Sequence, residues 1–543
     1  MKNNSVSDCL WLILLLVIIF GFFLGLRALS VPDEARYTEI PREMLLFHNF
    51  ITPHLDGIKY FEKPPLMYWL QAGMIHWFGI NEWALRIPTM LLALIGCLTI
   101  YFSARFLYDR GVGVLSALIL ASSPLYFVMA HSITLDMANS VFLTITLCSF
   151  ISAVYAPLDS KLRQNLTWLM CIAAACAVLT KGLIGILLPG LVIVSWLFIT
   201  HEWKNFWQLP IFSGVIIFLS ITLPWHVLVQ LHNPEFFHFY FIEQHFARYL
   251  TPVMHREEPN WWFLLVLGAG FFPWIIFLGE SITKIIKAKI PISLTYKKEW
   301  FFVLWAAEIF IFFSFSHSKL IPYILPVFPP LAVLIAQFLL SAVVNKSYQN
   351  ISIAYLIMAG SILTIVFHFS FFPVLKRDLI FISMLFILVP LGFLIFPIFS
   401  KMKLIYLFCI QIIFLWTVVI IYPDFDTRSI KELAIQLNQH LHKNDLLVSY
   451  EGYYQDLPVY TKHLVQIVDW QDELSFGALH QKNSKEILIS TDHFWHLWAS
   501  PHQVWAIMSI KNYEQEKKHH KLYLLSASDR NVVVSNEPVN TQK

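Results

Sequence analysis

Long apolar runs recur through the first four-fifths of the chain, most of them close to the ~20 residues that a bilayer-spanning helix needs. Thirteen segments fit that description: 9–29, 84–102, 113–130, 137–156, 166–180, 182–200, 208–228, 262–279, 300–316, 321–341, 351–372, 378–398 and 404–422. Thr180-Lys181-Gly182 nearly fuses the fifth of these with the sixth. Past Tyr422-Pro423-Asp424 the pattern changes. A helical period over 428–442 precedes short strand-like runs at 446–450, 464–468, 486–490 and 522–525, separated by polar stretches. The pattern predicts a membrane all-α bundle of about thirteen transmembrane helices over 1–422, with outer loops at 30–83 and 229–261. A soluble α/β domain over 423–543 follows it, within ordinary domain size.

Composition strengthens the membrane reading. The chain is 57% hydrophobic and 13% charged, with 47 Phe and a mean hydropathy of +0.62. Soluble domains carry about 45–50% apolar and about 25% charged residues, so a soluble globular protein is excluded. With the N-terminus placed in the cytoplasm, alternate loops collect Arg105 and Arg110, Lys161 and Arg163, Lys204, then Lys284 to Lys298, Lys346, and finally Lys401 and Lys403. Each is basic with few acids, as cytoplasmic loops are. The opposite loops carry mixed charge, and an odd number of spans puts the C-terminal domain outside. The first span is too long for a cleaved signal and lacks a small-residue cleavage site. All six cysteines lie in or beside predicted spans, so no disulfide framework is expected. A net charge of +3 gives no reason to expect nucleic acid as a partner.

Charge gathers on the predicted outer side. The first loop holds Asp33, Arg36, Glu39, Arg42 and Glu43, then Tyr60-Phe61-Glu62-Lys63-Pro64-Pro65. Ser30-x-x-Asp33 with Pro32 resembles a helix start, after which Arg36, Glu39 and Glu43 share one helical face. Glu39, Arg42 and Glu43 also read as an ion-paired structural face, whereas Asp33 lies directly after the first span, at head-group depth. His131 and Asp136 stand between the third and fourth spans, and Lys181 between the fifth and sixth. An acid at a membrane edge needs a partner, and Asp136 with Lys181 can form such a pair for structure alone. A later loop offers His245, Arg248, His255 and Arg256, followed by Trp261 and Trp262. In Ser318-Lys319-Leu320-Ile321-Pro322-Tyr323-Ile324-Leu325-Pro326 the prolines break a helix where it meets the outer face. Broken backbone at membrane depth survives where it lines a protein cavity, which favours a site role for Tyr323 over an aromatic-belt role. Lys63, Arg248, Lys319 and Arg36 are cations suited to charge-assisted hydrogen bonds with phosphate.

These segments carry a family resemblance. Pro32-Asp33-Glu34-Ala35-Arg36-Tyr37, Ile40-Pro41-Arg42-Glu43-Met44, Tyr60 to Trp69, Leu135-Asp136, Thr180-Lys181-Gly182 and Ser318 to Pro326 resemble the polyprenyl-phosphate-dependent GT-C glycosyltransferases. Within that group they resemble the bacterial 4-amino-4-deoxy-L-arabinose transferases of lipid A. The resemblance implies an inner-membrane enzyme with its active site and C-terminal domain facing the periplasm. It implies transfer of a sugar from an undecaprenyl-phosphate-linked donor to a periplasmic acceptor such as a lipid A phosphate. It assigns Tyr60, Lys63, Arg248, Tyr323 and Lys319 to the carrier phosphate, and Asp33, Asp136 and Lys181 to catalysis. It also implies a divalent metal, zinc or magnesium, on Glu62 and a histidine, with His245 preferred over His255; two ligands are too few for a closed structural zinc site. No organic cofactor is expected.

Two other readings compete. One is a GT-C transferase acting on another glycan or on protein hydroxyls, for which Asp33 would serve as general base. The other is a transporter of lipid-linked sugars. Transporters commonly show internal repeats and a midplane polar site, and neither pattern is visible here.

Overall fold

The computed structural model describes residues 3–251, 257–287, 296–341, 345–368, 373–395, 400–424 and 426–539. Its chain contacts divide it into two compact units. The first comprises Met1–Leu24, Arg86–His226 and Phe241–Asp424, and the second Gly25–Leu85, Val227–Tyr240 and Phe425–Lys543.

The first unit is helical, and the chain is a multi-pass membrane protein. Among the described residues, eight helices are long and apolar enough to cross a bilayer, or up to ten if each of two bent pairs is one span. Among the described residues, helices occur in all thirteen expected segments, but several fall short as crossings. Ser7–Gly21 and Ile184–Thr200 are apolar yet short, and Lys297–Ser314 opens with Lys297, Lys298 and Glu299. The two bent pairs are Arg110–Ala121 with Pro124–Ala130, at 69°, and Trp262–Gly270 with Trp274–Ser281, at 108°. Proline accounts for both breaks, because it removes an amide donor and clashes with the preceding turn. The carbonyls freed there need partners inside an apolar bundle. Gln411, which is fully buried, supplies them: its Nε2 donates to Phe272 O at 3.1 Å and to Ser122 O at 3.3 Å. Its Oε1 accepts from the Tyr355 hydroxyl at 2.8 Å. Gly182, at φ +81°, ends the helix Lys161–Lys181 and separates two spans that run together in the sequence. All six cysteines are free thiols.

The second unit holds the α/β fold expected after Tyr422. A hairpin pairs β1 (His54–Leu55) with β2 (Ile58–Lys59). Its two turn residues, Asp56 and Gly57, both have positive φ, as a tight Asp-Gly hairpin turn requires. The main sheet has β3 (Leu446–Ser449), β4 (Gln466–Val468), β5 (Leu488–Ile489), β6 (Val504–Ser509), β7 (Tyr523–Ala527) and β8 (Asn531–Ser535), in the order β5-β4-β3-β6-β8-β7. Strands β5, β4, β3 and β6 run parallel, while β8 pairs antiparallel with both β6 and β7. The connections between parallel strands are helical, as such crossovers must be. One face packs Val448, Val468, Phe494 and Val534, and the other packs Leu447, Trp505, Ile507 and Val533. This alternation along β3, β6 and β8 is that of a sheet covered on both sides. Strands β6 and β8 are additions to the four expected runs.

The helix Asp33–Leu46 belongs to the same unit. Arg42 holds Glu39 in a two-pronged bond at 2.7 and 2.6 Å, so the ion-paired reading of that face is the observed one. Glu43 accepts the Gly57 amide at 2.9 Å and Asp56 accepts the Val465 amide at 2.9 Å. Both carboxyls are fully buried, and burial raises both well above the usual carboxylate range.

Candidate functional site

The residues singled out by the sequence fall into two groups, one in each unit. In the first unit, Asp136 lies in the opening turn of the helix Leu135–Tyr155, and Lys181 in the last turn of Lys161–Lys181. Each sits at the helix end that favours its charge. The Lys181 ammonium donates to the Asp136 carboxylate and lies 4.4 Å from the centre of the Tyr323 ring, within cation–π range. The Tyr323 hydroxyl accepts from Arg248 Nη2 at 3.1 Å, and Arg248 Nη1 donates to Gln244 Oε1 at 3.2 Å. Asp136, Lys181, Tyr323 and Arg248 therefore form one chain of contacts. Arg248 follows a π-helical stretch, His238–Ala247, an uncommon geometry that recurs at functional sites. Tyr323 stands on the 3-10 turn Ile321–Val327, the form that the proline-broken segment takes. Lys319 Nζ donates to Ser316 O at 2.6 Å, and the His317 amide ties this loop to Tyr249 O at 3.3 Å. His131 is bound through Nδ1 to Phe127 O at 2.9 Å, a structural placement.

His245 Nε2 accepts the Leu183 amide at 3.1 Å. That bond occupies the lone pair a metal would need on this nitrogen. Among the described residues, no group of three or more His, Cys, Asp or Glu is placed to hold a metal ion. The donors present do not fit a protein-enclosed metal, and we derive no step through one. His255 and Arg256 lie outside the described residues.

In the second unit, Asp33 is half exposed and meets Arg36 Nη1 at 3.2 Å. Arg36 in turn reaches Glu473 at 2.7 Å, both nearly enclosed. Burial pushes the Glu473 carboxyl up to about 7, against the pull of Arg36. Around this pair, Arg36 Nε and the hydroxyls of Tyr60 and Tyr68 are buried with no hydrogen-bond partner. The neighbouring Lys63 Nζ donates to Glu62 O at 3.0 Å, and Lys59 pairs with Glu235 at 3.0 Å. Glu473 and Tyr68 were not expected at the site. Nothing around Glu473 marks it in the sequence, because its role depends on a partner more than 400 positions away.

Comparison with known proteins sets these groups in a family context. Residues 62–227 match the family described as dolichyl-phosphate-mannose-protein mannosyltransferase. Residues 433–536 match the aminoarabinose transferase C-terminal domain. The chain is 31% identical over 319 residues to the undecaprenyl phosphate-alpha-4-amino-4-deoxy-L-arabinose arabinosyl transferase of Erwinia tasmaniensis, covering 58% of this chain and 56% of that one. It is 32% identical over 336 residues to such a transferase of Proteus mirabilis, covering 61% and 59%. The aligned region thus spans less than two thirds of these relatives' length. Among solved structures, ArnT from Cupriavidus metallidurans bound to undecaprenyl phosphate superposes with a TM-score of 0.89 at 27% identity, covering 99% of both chains. The same protein in the apo state gives 0.87 at 27% identity, covering 98% of both.

Proposed function

We infer that this chain, an ArnT-like protein of the GT-C glycosyltransferase type, moves a sugar from an undecaprenyl-phosphate-linked donor to a lipid A phosphate. The sugar named by its relatives is 4-amino-4-deoxy-L-arabinose. The observation that carries this reading is the end-to-end likeness to an ArnT that binds undecaprenyl phosphate. The contact chain from Arg248 through Tyr323 and Lys181 to Asp136 supports it. We place the protein in the bacterial inner membrane with its site facing the periplasm.

The reaction is a single displacement with inversion. An oxygen of the acceptor phosphate attacks C1 of the sugar, the C1–O bond to the carrier phosphate breaks, and the carrier phosphate leaves with the electron pair. Arg248, with the Tyr323 hydroxyl beside it, and Lys319 are assigned to that phosphate. Their cations and hydroxyls stabilise the charge that builds on it. The acceptor is already an anion at neutral pH, so no base is needed, and Asp33 orients acceptor or sugar with Arg36 holding it in place.

Mass spectrometry of lipid A from cells with and without the chain tests the reading. Lipid A should gain one aminopentose for each modified phosphate when the chain is present. Purified protein should use intact lipid A and fail on the dephosphorylated form. Equal use of both would favour hydroxyl acceptors, and Asp33→Asn would then lose about 10²–10⁴-fold, the worth of a positioned base.

A further inference from the structure

The helix Leu135–Tyr155 carries polar atoms that the contacts described above leave unused. Asn139 is 3% exposed and Ser140 is fully buried, yet Asn139 Oδ1 and Ser140 Oγ have no hydrogen-bond partner. They follow Asp136 at i+3 and i+4, which places them one turn along the same helical face. Thr134, immediately before the helix, repeats the anomaly. A threonine at that position ordinarily caps the first free amides, but here it makes no side-chain cap and its hydroxyl is buried without a partner.

Several threonine hydroxyls in this bundle do otherwise. Thr144 bonds back to Ser140 O at 2.7 Å, Thr146 to Phe142 O at 2.8 Å and Thr180 to Cys176 O at 2.7 Å. This self-satisfaction is the usual answer to an apolar surround. Ser140, on the same helix, forgoes it. Buried polar atoms without partners are rare and costly in proteins, and polar side chains within membrane spans mark functional sites. Three of them lie within about one turn of Asp136, on or directly before a helix that packs against both the helix of Lys181 and the turn of Tyr323.

Their chemistry narrows the ligand. Two hydroxyls that can donate and accept and an amide oxygen that accepts are free here, and the Asp136 carboxylate stands beside them. That set complements a ring of hydroxyl and amino substituents, which can donate to the amide oxygen and exchange hydrogen bonds with the hydroxyls. We propose that Thr134, Asn139 and Ser140 form, beside Asp136, the subsite that recognises the sugar ring of the lipid-linked donor. It is separate in role from the Arg248 and Tyr323 contacts assigned to the carrier phosphate. This rests on the inferred use of such a donor.

The experiment compares binding of bare undecaprenyl phosphate with binding of its aminoarabinose-linked form. It uses full-length protein in lipid nanodiscs, with Asn139→Leu, Ser140→Ala and the double variant. Affinity for the bare carrier should be unchanged, which also reports that each variant is folded. Affinity for the sugar-linked donor should fall by up to roughly tenfold per lost hydrogen bond, and Ser140→Thr should restore most of it. An unchanged preference for the sugar-linked donor in the double variant would overturn the proposal, as would an equal loss of both ligands. Wild-type protein that binds neither ligand would overturn the proposed function itself.

Discussion

Tyr323 serves two neighbours with two different parts of one side chain. Its hydroxyl accepts from Arg248, and its ring lies under the Lys181 ammonium. Tyr323→Phe separates these, because the ring stays and the hydroxyl goes. Losing a hydrogen bond to a charged group costs on the order of 1.5–3 kcal/mol, so kcat/KM should fall roughly tenfold or more while the protein stays folded. Tyr323→Ala should cost more, since it also strips Lys181 of its ring contact. Steady-state transfer assays on both variants check this, and equal losses would show that the hydroxyl alone matters. Tyr323 was legible in the sequence because prolines on both sides of it break the helix. Asp136 and Lys181 were legible because an acid and a base at membrane edges demand partners. Asn139 and Ser140 were not, because a short polar residue in an apolar run is unremarkable until its missing partner is seen.

At the level of elements, hydrophobic period located the helices but not their continuity. The segment 113–130 reads as one span, yet it bends by 69° between Ala121 and Pro124. Its pattern is helical on both sides of the break, and only Pro124 hints at a bend. The α/β domain was legible in its class and in four of its strands. Strand β6 is buried on almost every position, reading as one apolar run, and its place in the sheet is set by β3 and β8. Gln411 shows what local pattern hides, since one amide in an apolar helix joins two distant breaks. Gln411→Leu would leave the Ser122 and Phe272 carbonyls and the Tyr355 hydroxyl without that partner. Each unpaired buried group costs about 1–3 kcal/mol, so a marked loss is expected. The midpoint of thermal unfolding in detergent should drop by several degrees. An unchanged midpoint in the leucine variant would remove Gln411 from its role as the shared partner.

For the whole molecule, the two compact units are not consecutive lengths of chain. Segments 25–85 and 227–240 group with 425–543, so the acidic and basic first loop and the C-terminal sheet share one unit. The ion pair of Arg36 with Glu473 and the bond from the Val465 amide to Asp56 lie within it. A unit assembled from such distant segments can form only if they meet on the same side of the membrane. Charge distribution predicts which side. The basic loops at Arg105, Lys161, Lys204 and Lys284 alternate with loops of mixed charge, and basic loops stay in the cytoplasm. A phosphatase reporter that is active only outside the cytoplasm should therefore be silent when fused after Lys287. It should be active when fused after Lys543. Reporters silent at both points would place the C-terminal domain in the cytoplasm, away from any lipid-linked donor presented on the outer face. Activity after Lys287 would break the alternation from which the orientation was read.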